Sequence, residues 1–93
     1  MTTDRVVRAR VVVRGYVQGV WFRDSCRREA LARGVSGWVR NRMDGTVEAV
    51  FEGPEAAVAQ CVAWCRLGPP RSEVTGVDVS EEAPEGLVAF QIR

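Results

Sequence analysis

The residues best suited to chemistry lie in one stretch, Gly15-Tyr16-Val17-Gln18-Gly19-Val20-Trp21-Phe22-Arg23. It joins a β-branched, arginine-studded run to a segment with helical periodicity. The expected helix start has no Ser, Thr, Asp or Asn placed to cap it, although such side chains usually satisfy the first free amides. Its first turn carries Arg23, a cation at the end where the helix macrodipole favours an anion. A glycine loop, an uncapped helix and a cation there fit together if an external anion occupies the site. The chemistry to look for is therefore the binding of a phosphate-like group.

Composition narrows that chemistry. The 93 residues include no His, which removes Ser-His and Cys-His nucleophilic catalysis. The cysteines are Cys26, Cys61 and Cys65, an odd number without the spacing of a secreted disulfide framework. Cys61 and Cys65 stand four apart on an expected helix, with Cβ atoms about 5–6 Å apart. A disulfide needs about 3.5–4.5 Å. With no His, a metal site would need cysteines and carboxylates from elsewhere, and these cysteines read as buried free thiols. All 13 basic residues are Arg, as a GC-rich genome would give, and the net charge is +1. Such a balance suggests neither a non-specific nucleic-acid binder nor a polybasic membrane arm. No apolar run approaches the ~20 residues of a membrane span. Met1-Thr2-Thr3-Asp4-Arg5 shows no signal-peptide apolar region. A cytoplasmic, monomeric protein is expected, one domain over residues 1–93.

The elements that must position the stretch follow from periodicity. Arg5 to Arg14, with Val6, Val7, Val11, Val12 and Val13, reads as a strand, and Gly15 to Val20 as the loop after it. Phe22 to Arg33 reads as a helix with Phe22, Cys26 and Ala30 on its inner stripe and Leu31 beside it; Gly34 ends it. Val35 to Asn41 is a strand, Arg42-Met43-Asp44-Gly45 a hairpin turn, and Thr46 to Glu52 the third strand. Its Val47, Ala49 and Phe51 share one face, and Thr46, Glu48, Val50 and Glu52 the other. Gly53-Pro54-Glu55 opens a second helix, whose Val58, Cys61, Val62 and Cys65 make a buried stripe. Gly68-Pro69-Pro70 stops it. Val74, Val77 and Val79 mark a fourth strand, and Leu87 to Arg93 a short closing one. This order predicts an α+β, ferredoxin-like sandwich: a split β-α-β with an added C-terminal strand and two helices on one face of a mostly antiparallel sheet. Such a fold decides no function by itself.

Two stretches together resemble the acylphosphatase family: Gly15-x-Val17-Gln18-Gly19-Val20-x-Phe22-Arg23, and Gly37-Trp38-Val39-x-Asn41-x-x-Asp44-Gly45-x-Val47-Glu48. Gly68-Pro69-Pro70 with Val74, and the ending Phe90-x-Ile92-Arg93, are similar to the family pattern as well. The resemblance covers nearly the whole chain. It implies hydrolysis of the mixed anhydride between a carboxylic acid and phosphate. It also implies that the amides of Gly15, Tyr16, Val17, Gln18, Gly19 and Val20 hold the phosphate and that Arg23 clamps its oxygens. Asn41 would position the attacking water, with no metal or other cofactor. Tyr16 falls at a variable position whose side chain is expected to be unimportant.

The chemistry is consistent on its own terms. Phosphoryl transfer spreads charge over the equatorial oxygens, so fixed donors and a cation are the main requirement, and Arg binds two oxygens at once. An amide such as Asn41 cannot be a general base, but its carbonyl can hold a water while its N–H group touches phosphate. A carboxylate leaving group needs no proton, so a base-free site suffices. By itself Asn41 reads as a strand-end residue beside a turn; its register with Trp38 and Asp44-Gly45 gives it the functional reading. Gln18 is expected to hydrogen-bond a neighbouring strand, Trp38 and Asp44 to serve packing and the turn, and Phe22 to be core. The remaining arginines are expected on a solvated face, with Arg40 and Arg42 placed to attract an anionic substrate. The alternative reading is a non-catalytic module binding phosphate or carbamoyl phosphate. An RNA-reading domain would stack bases on sheet aromatics, whereas the third strand offers Phe51 between acids.

Overall fold

The computed structural model of the chain describes residues 5–93; the reading of Met1 to Asp4 lies outside them. Its elements are β1 (Val6–Tyr16), α1 (Phe22–Ala32), β2 (Ser36–Asn41), β3 (Val47–Pro54), α2 (Glu55–Leu67), β4 (Glu73–Glu82) and β5 (Phe90–Ile92). The sheet order is β4-β1-β3-β2-β5, antiparallel except where β5 joins β2 in parallel. This is the expected ferredoxin-like arrangement. Among the described residues no helix is long and apolar enough to cross a membrane.

Alternation builds the core. Ala9, Val11 and Val13 of β1, Val39 of β2, and Val47, Ala49 and Phe51 of β3 turn one sheet face inward, where Phe22, Cys26 and Ala30 of α1 and Val58, Cys61 and Cys65 of α2 cover it. Full burial of each large apolar side chain contributes about 1.5–3 kcal/mol. The helices touch each other through Phe22 and Trp64, whose ring centroids are 5.1 Å apart. Leu31 departs from expectation: it is 50% exposed, because the stripe of a short helix is narrow. Gly34, at φ 69°, closes α1 as expected. Its amide donates to Leu31 O and that of Val35 to Ala30 O, the paired bonds of a Schellman end.

The opposite sheet face carries no helix, yet it is covered. Arg8, Glu48 and Glu52 are buried there and Arg10 half-buried, which corrects the reading of the non-site arginines as a solvated face for Arg8 and Arg10. Arg8 pairs with Glu82 at 2.9 Å and Glu52 at 3.4 Å. Arg10 pairs with Glu82 at 2.6 Å and also with Glu48. Arg40 reaches Glu48 at 2.6 Å. Trp38 lies beneath the guanidinium groups of Arg10, Arg40 and Arg93. Long arginine stems cover apolar surface while their heads remain paired, so charge alternation did not mean solvent.

The ends of two strands also differ from the sequence reading. β1 continues to Tyr16 through an irregularity at Arg14/Gly15, pairing Gly15 with Val74 and Tyr16 with Glu73. The closing strand is only Phe90–Ile92, and Val88 is fully in solvent. The chain before it is held instead by the Glu52 carboxylate, which accepts the amides of Glu85, Gly86 and Leu87 at 2.8, 2.7 and 2.8 Å.

Candidate active site

Register brings the two sequence motifs together. Val13 of β1 lies opposite Val47 of β3, and Val47 lies opposite Asn41 of β2. The three form one row across the sheet, so Asn41 sits at the edge over which the chain leaves β1. The loop itself is shorter than expected. Gly15 and Tyr16 belong to β1, and residues 17–21 make the turn into α1. Gly15 (φ 123°) is required by close approach, since a Cβ there would run into the Glu73 carbonyl oxygen.

Side chains anchor the loop from beneath. Val17 and Val20 are buried in the core, as is Phe22 at the start of α1. Gln18 Nε2 donates to Arg42 O at 2.7 Å and Thr46 O at 2.9 Å, the expected tie, made to the β2–β3 hairpin. Gly19 (φ 75°) has open space where a Cβ would stand. Trp21, the N-cap residue of α1, is left-handed at φ 67°, and no side chain caps the helix. The first helical bond runs from Ser25 N to Trp21 O at 3.0 Å. The amides before it therefore have no helical carbonyl to donate to.

Arg23 and Asn41 line the same cleft of about 400 Å³, together with Val17, Gly19, Trp21 and Ile92. Arg23 makes no ion pair among the described residues and is exposed. Asn41 Oδ1 is the one buried side-chain polar atom among them without a hydrogen-bond partner, an acceptor that native structures rarely leave unsatisfied. Of the hairpin arginines, Arg40 pairs with Glu48 at 2.6 Å, and Arg42 stands 3.9 Å from Asp44. Asp44 accepts from Thr46 N and Oγ1 at 3.0 and 2.6 Å, which fixes the turn and holds its own pKa down.

Three cleft residues were not singled out from the sequence. Asp24 adds an anion to the first turn that the macrodipole favours, and its carboxylate pairs with Arg28 at 2.8 Å. Trp21 sits between motif positions, and its exposure could have been suspected only from the missing cap. Ile92 comes from β5, nearly the whole chain away. Among the described residues no group of His, Cys, Asp or Glu is arranged to hold a metal. The three cysteines are free and buried, as expected. Burial pushes the Cys61 thiol up to about 12, and a hydrogen bond with Cys65 together with burial raises Cys26.

An uncapped helix start and an exposed arginine at a split β-α-β crossover, flanked by a strand-end asparagine, mark an α+β protein with a cleft at the end of its sheet. The acylphosphatase family model matches residues 9–92. An acylphosphatase of Gloeobacter violaceus is 56% identical over 86 residues, 92% of each chain. The crystal structure of acylphosphatase from Bacillus subtilis superposes with a TM-score of 0.90 at 43% identity, over 94% of this chain and 98% of that one. The structure of an acylphosphatase from Coxiella burnetii does so at 0.93 and 35% identity over the full length of both. The chain belongs to the acylphosphatase family, and acylphosphatase activity is the catalytic function that membership carries.

Proposed function

We propose that residues 1–93 form one acylphosphatase domain, an acylphosphate phosphohydrolase whose phosphate subsite is the segment from Gly15 to Val20 plus Arg23 and whose water-positioning residue is Asn41. The observation that carries this assignment is the shared cleft, where an unpaired arginine and an orphaned asparagine oxygen meet an uncapped helix start. The amides of residues 17–20 and the start of α1 supply donors to the phosphate, with those of Gly15 and Tyr16 completing the assignment from the β1 end. The Arg23 fork neutralises two equatorial oxygens as charge develops.

Asn41 Oδ1 accepts a hydrogen bond from the attacking water and aims the water oxygen at phosphorus. The P–O bond to the acyl group breaks, and the carboxylate leaves with the electron pair. One water proton passes to the phosphate or to solvent, giving orthophosphate. Because the leaving group is a stable carboxylate, the step needs neither a general acid nor a Lewis acid. The same reading makes the protein a metal-independent, cytoplasmic monomer acting on small acyl phosphates, with neither nucleic acid nor membrane as partner.

Hydrolysis of acetyl and benzoyl phosphate in the presence of EDTA tests the proposal. Wild type should turn over both, and Arg23→Ala and Asn41→Ala should each lose about 10²–10³-fold in kcat, as removal of a single transition-state donor does. An inert wild type, or full activity in either variant, would sink the assignment.

A further inference from the structure

Trp21 is the only non-glycine residue with positive φ among the described residues, at 67°. A bulky side chain is disfavoured there, where Gly or Asn fits better. Its ring nevertheless stands 71% exposed, so core packing does not account for it. Strained, exposed residues of this kind cluster at ligand sites. Ile92, 43% exposed, is the second large apolar side chain facing water at the same place. Together with Val17, both line the cleft that holds Arg23 and Asn41. At about 400 Å³, that cleft falls within the range of about 300–1,000 Å³ typical of small-molecule sites.

Resting on the acyl phosphate reading above, we propose that Trp21 and Ile92 form the platform for the acyl half of the substrate and select flat, uncharged apolar acyl groups. With the phosphate on the loop amides and Arg23, the acyl group cannot extend back towards Val17 and Val20, which are buried. Its way out runs along the indole and the β5 side chain. Arg23 is engaged by the phosphate and Asp24 is already paired with Arg28, so this wall offers no free cation to hold an acyl chain ending in a carboxylate. An aromatic ring gains an offset contact with the indole and loses nothing polar. Phosphate binding fixes one end of the substrate, and Trp21 and Ile92 discriminate the other.

The test compares kcat/KM for benzoyl phosphate and acetyl phosphate in wild type, Trp21→Asn, Trp21→Phe and Ile92→Ala. The two substrates differ in intrinsic reactivity, so the change in their ratio on substitution is the readout. Asn tolerates the left-handed backbone and preserves the loop; Ile92→Ala gives an independent reading outside it. The benzoyl-to-acetyl ratio should fall about tenfold in Trp21→Asn and several-fold in Ile92→Ala, the scale of apolar pocket discrimination, and be kept in Trp21→Phe. A ratio unchanged in Trp21→Asn and Ile92→Ala overturns the proposal. An inert wild type would fail the catalytic reading alone. Calorimetric binding of benzoylphosphonate against acetylphosphonate then decides the platform with the same variants: a benzoyl preference that these substitutions abolish supports it, and equal or absent binding overturns it.

Discussion

The Gln18 side-chain amide donates to the Arg42 carbonyl at 2.7 Å, binding the loop of residues 17–21 to the hairpin that follows Asn41. A second bond from the same nitrogen reaches Thr46 O at 2.9 Å, so one amide clamps both sides of the hairpin. Gln18→Ala should lower stability by about 1–2 kcal/mol, the cost of leaving partly buried carbonyls unpaired. It should also lower kcat/KM by about 10- to 100-fold, because loop and asparagine lose their fixed spacing. Gln18→Glu, which sets an acceptor against two carbonyls, should be worse on both counts. Urea melts with acetyl phosphate kinetics on the same samples measure this.

On the proposed role, Asn41→Ala should separate stability from turnover. The buried Asn41 Oδ1 has no partner among the described residues, and removing an unsatisfied buried acceptor is neutral or favourable. Asn41→Ala should therefore melt at or above the wild-type temperature while losing turnover. A clear drop in Tm would show that the oxygen is satisfied within the fold, contrary to its assignment to water.

Gly15 at the end of β1 and Gly19 within the loop should separate fold from affinity. A Cβ at Gly15 meets the Glu73 backbone, so Gly15→Ala should cost about 3 kcal/mol through a displaced β4 and backbone strain. At Gly19 nothing stands within 4 Å, and Gly19→Ala should cost only about 1 kcal/mol, the penalty of a left-handed alanine. It narrows the cleft mouth, so its main effect should be a raised KM or Kd for inorganic phosphate. Thermal melts alongside phosphate titration distinguish the two.

Glu52 links pH to the docking of β5. Burial alone would raise its pKa; the amides of Glu85, Leu87 and Gly86 and the Arg8 side chain overcome that and hold it below its ordinary 4.5. A depressed folded-state pKa contributes stability that is fully present above about 4.5 and lost as pH falls through the folded value. Acidification below about pH 4.5 should thus loosen residues 83–89 first, seen as faster amide exchange there. Glu52→Gln should cost about 3 kcal/mol at neutral pH, as breaking a buried pair does, and flatten the acid-side profile. Glu48 and Glu82 are shifted down as well, so the Glu52 share is the difference between the two profiles.

The sequence by itself determined the element order, the inward stripes of both helices and the inward face of β3, because period and punctuation are local properties of the chain. It also singled out the loop whose uncapped helix start the fold displays, since a missing cap and a glycine loop are visible within nine residues. Gly34, Gln18 and Phe22 behave as their local patterns required. Other features depended on partners distant in the chain. Gly15 joined β1 because β4 passes too close for a side chain, and the closing strand shortened because Glu52 captured the amides before it. Arg8 and Arg10 of β1 are covered because Glu48, Glu52 and Glu82 arrive from other strands. The acyl wall of the cleft was illegible for the same reason. Trp21 and Ile92 are 71 positions apart in the sequence, and only the parallel docking of β5 on β2 brings them to one cleft. Local periodicity encodes which face a residue turns; which residue it meets there is set by strand register and by the long-range pairing of charges.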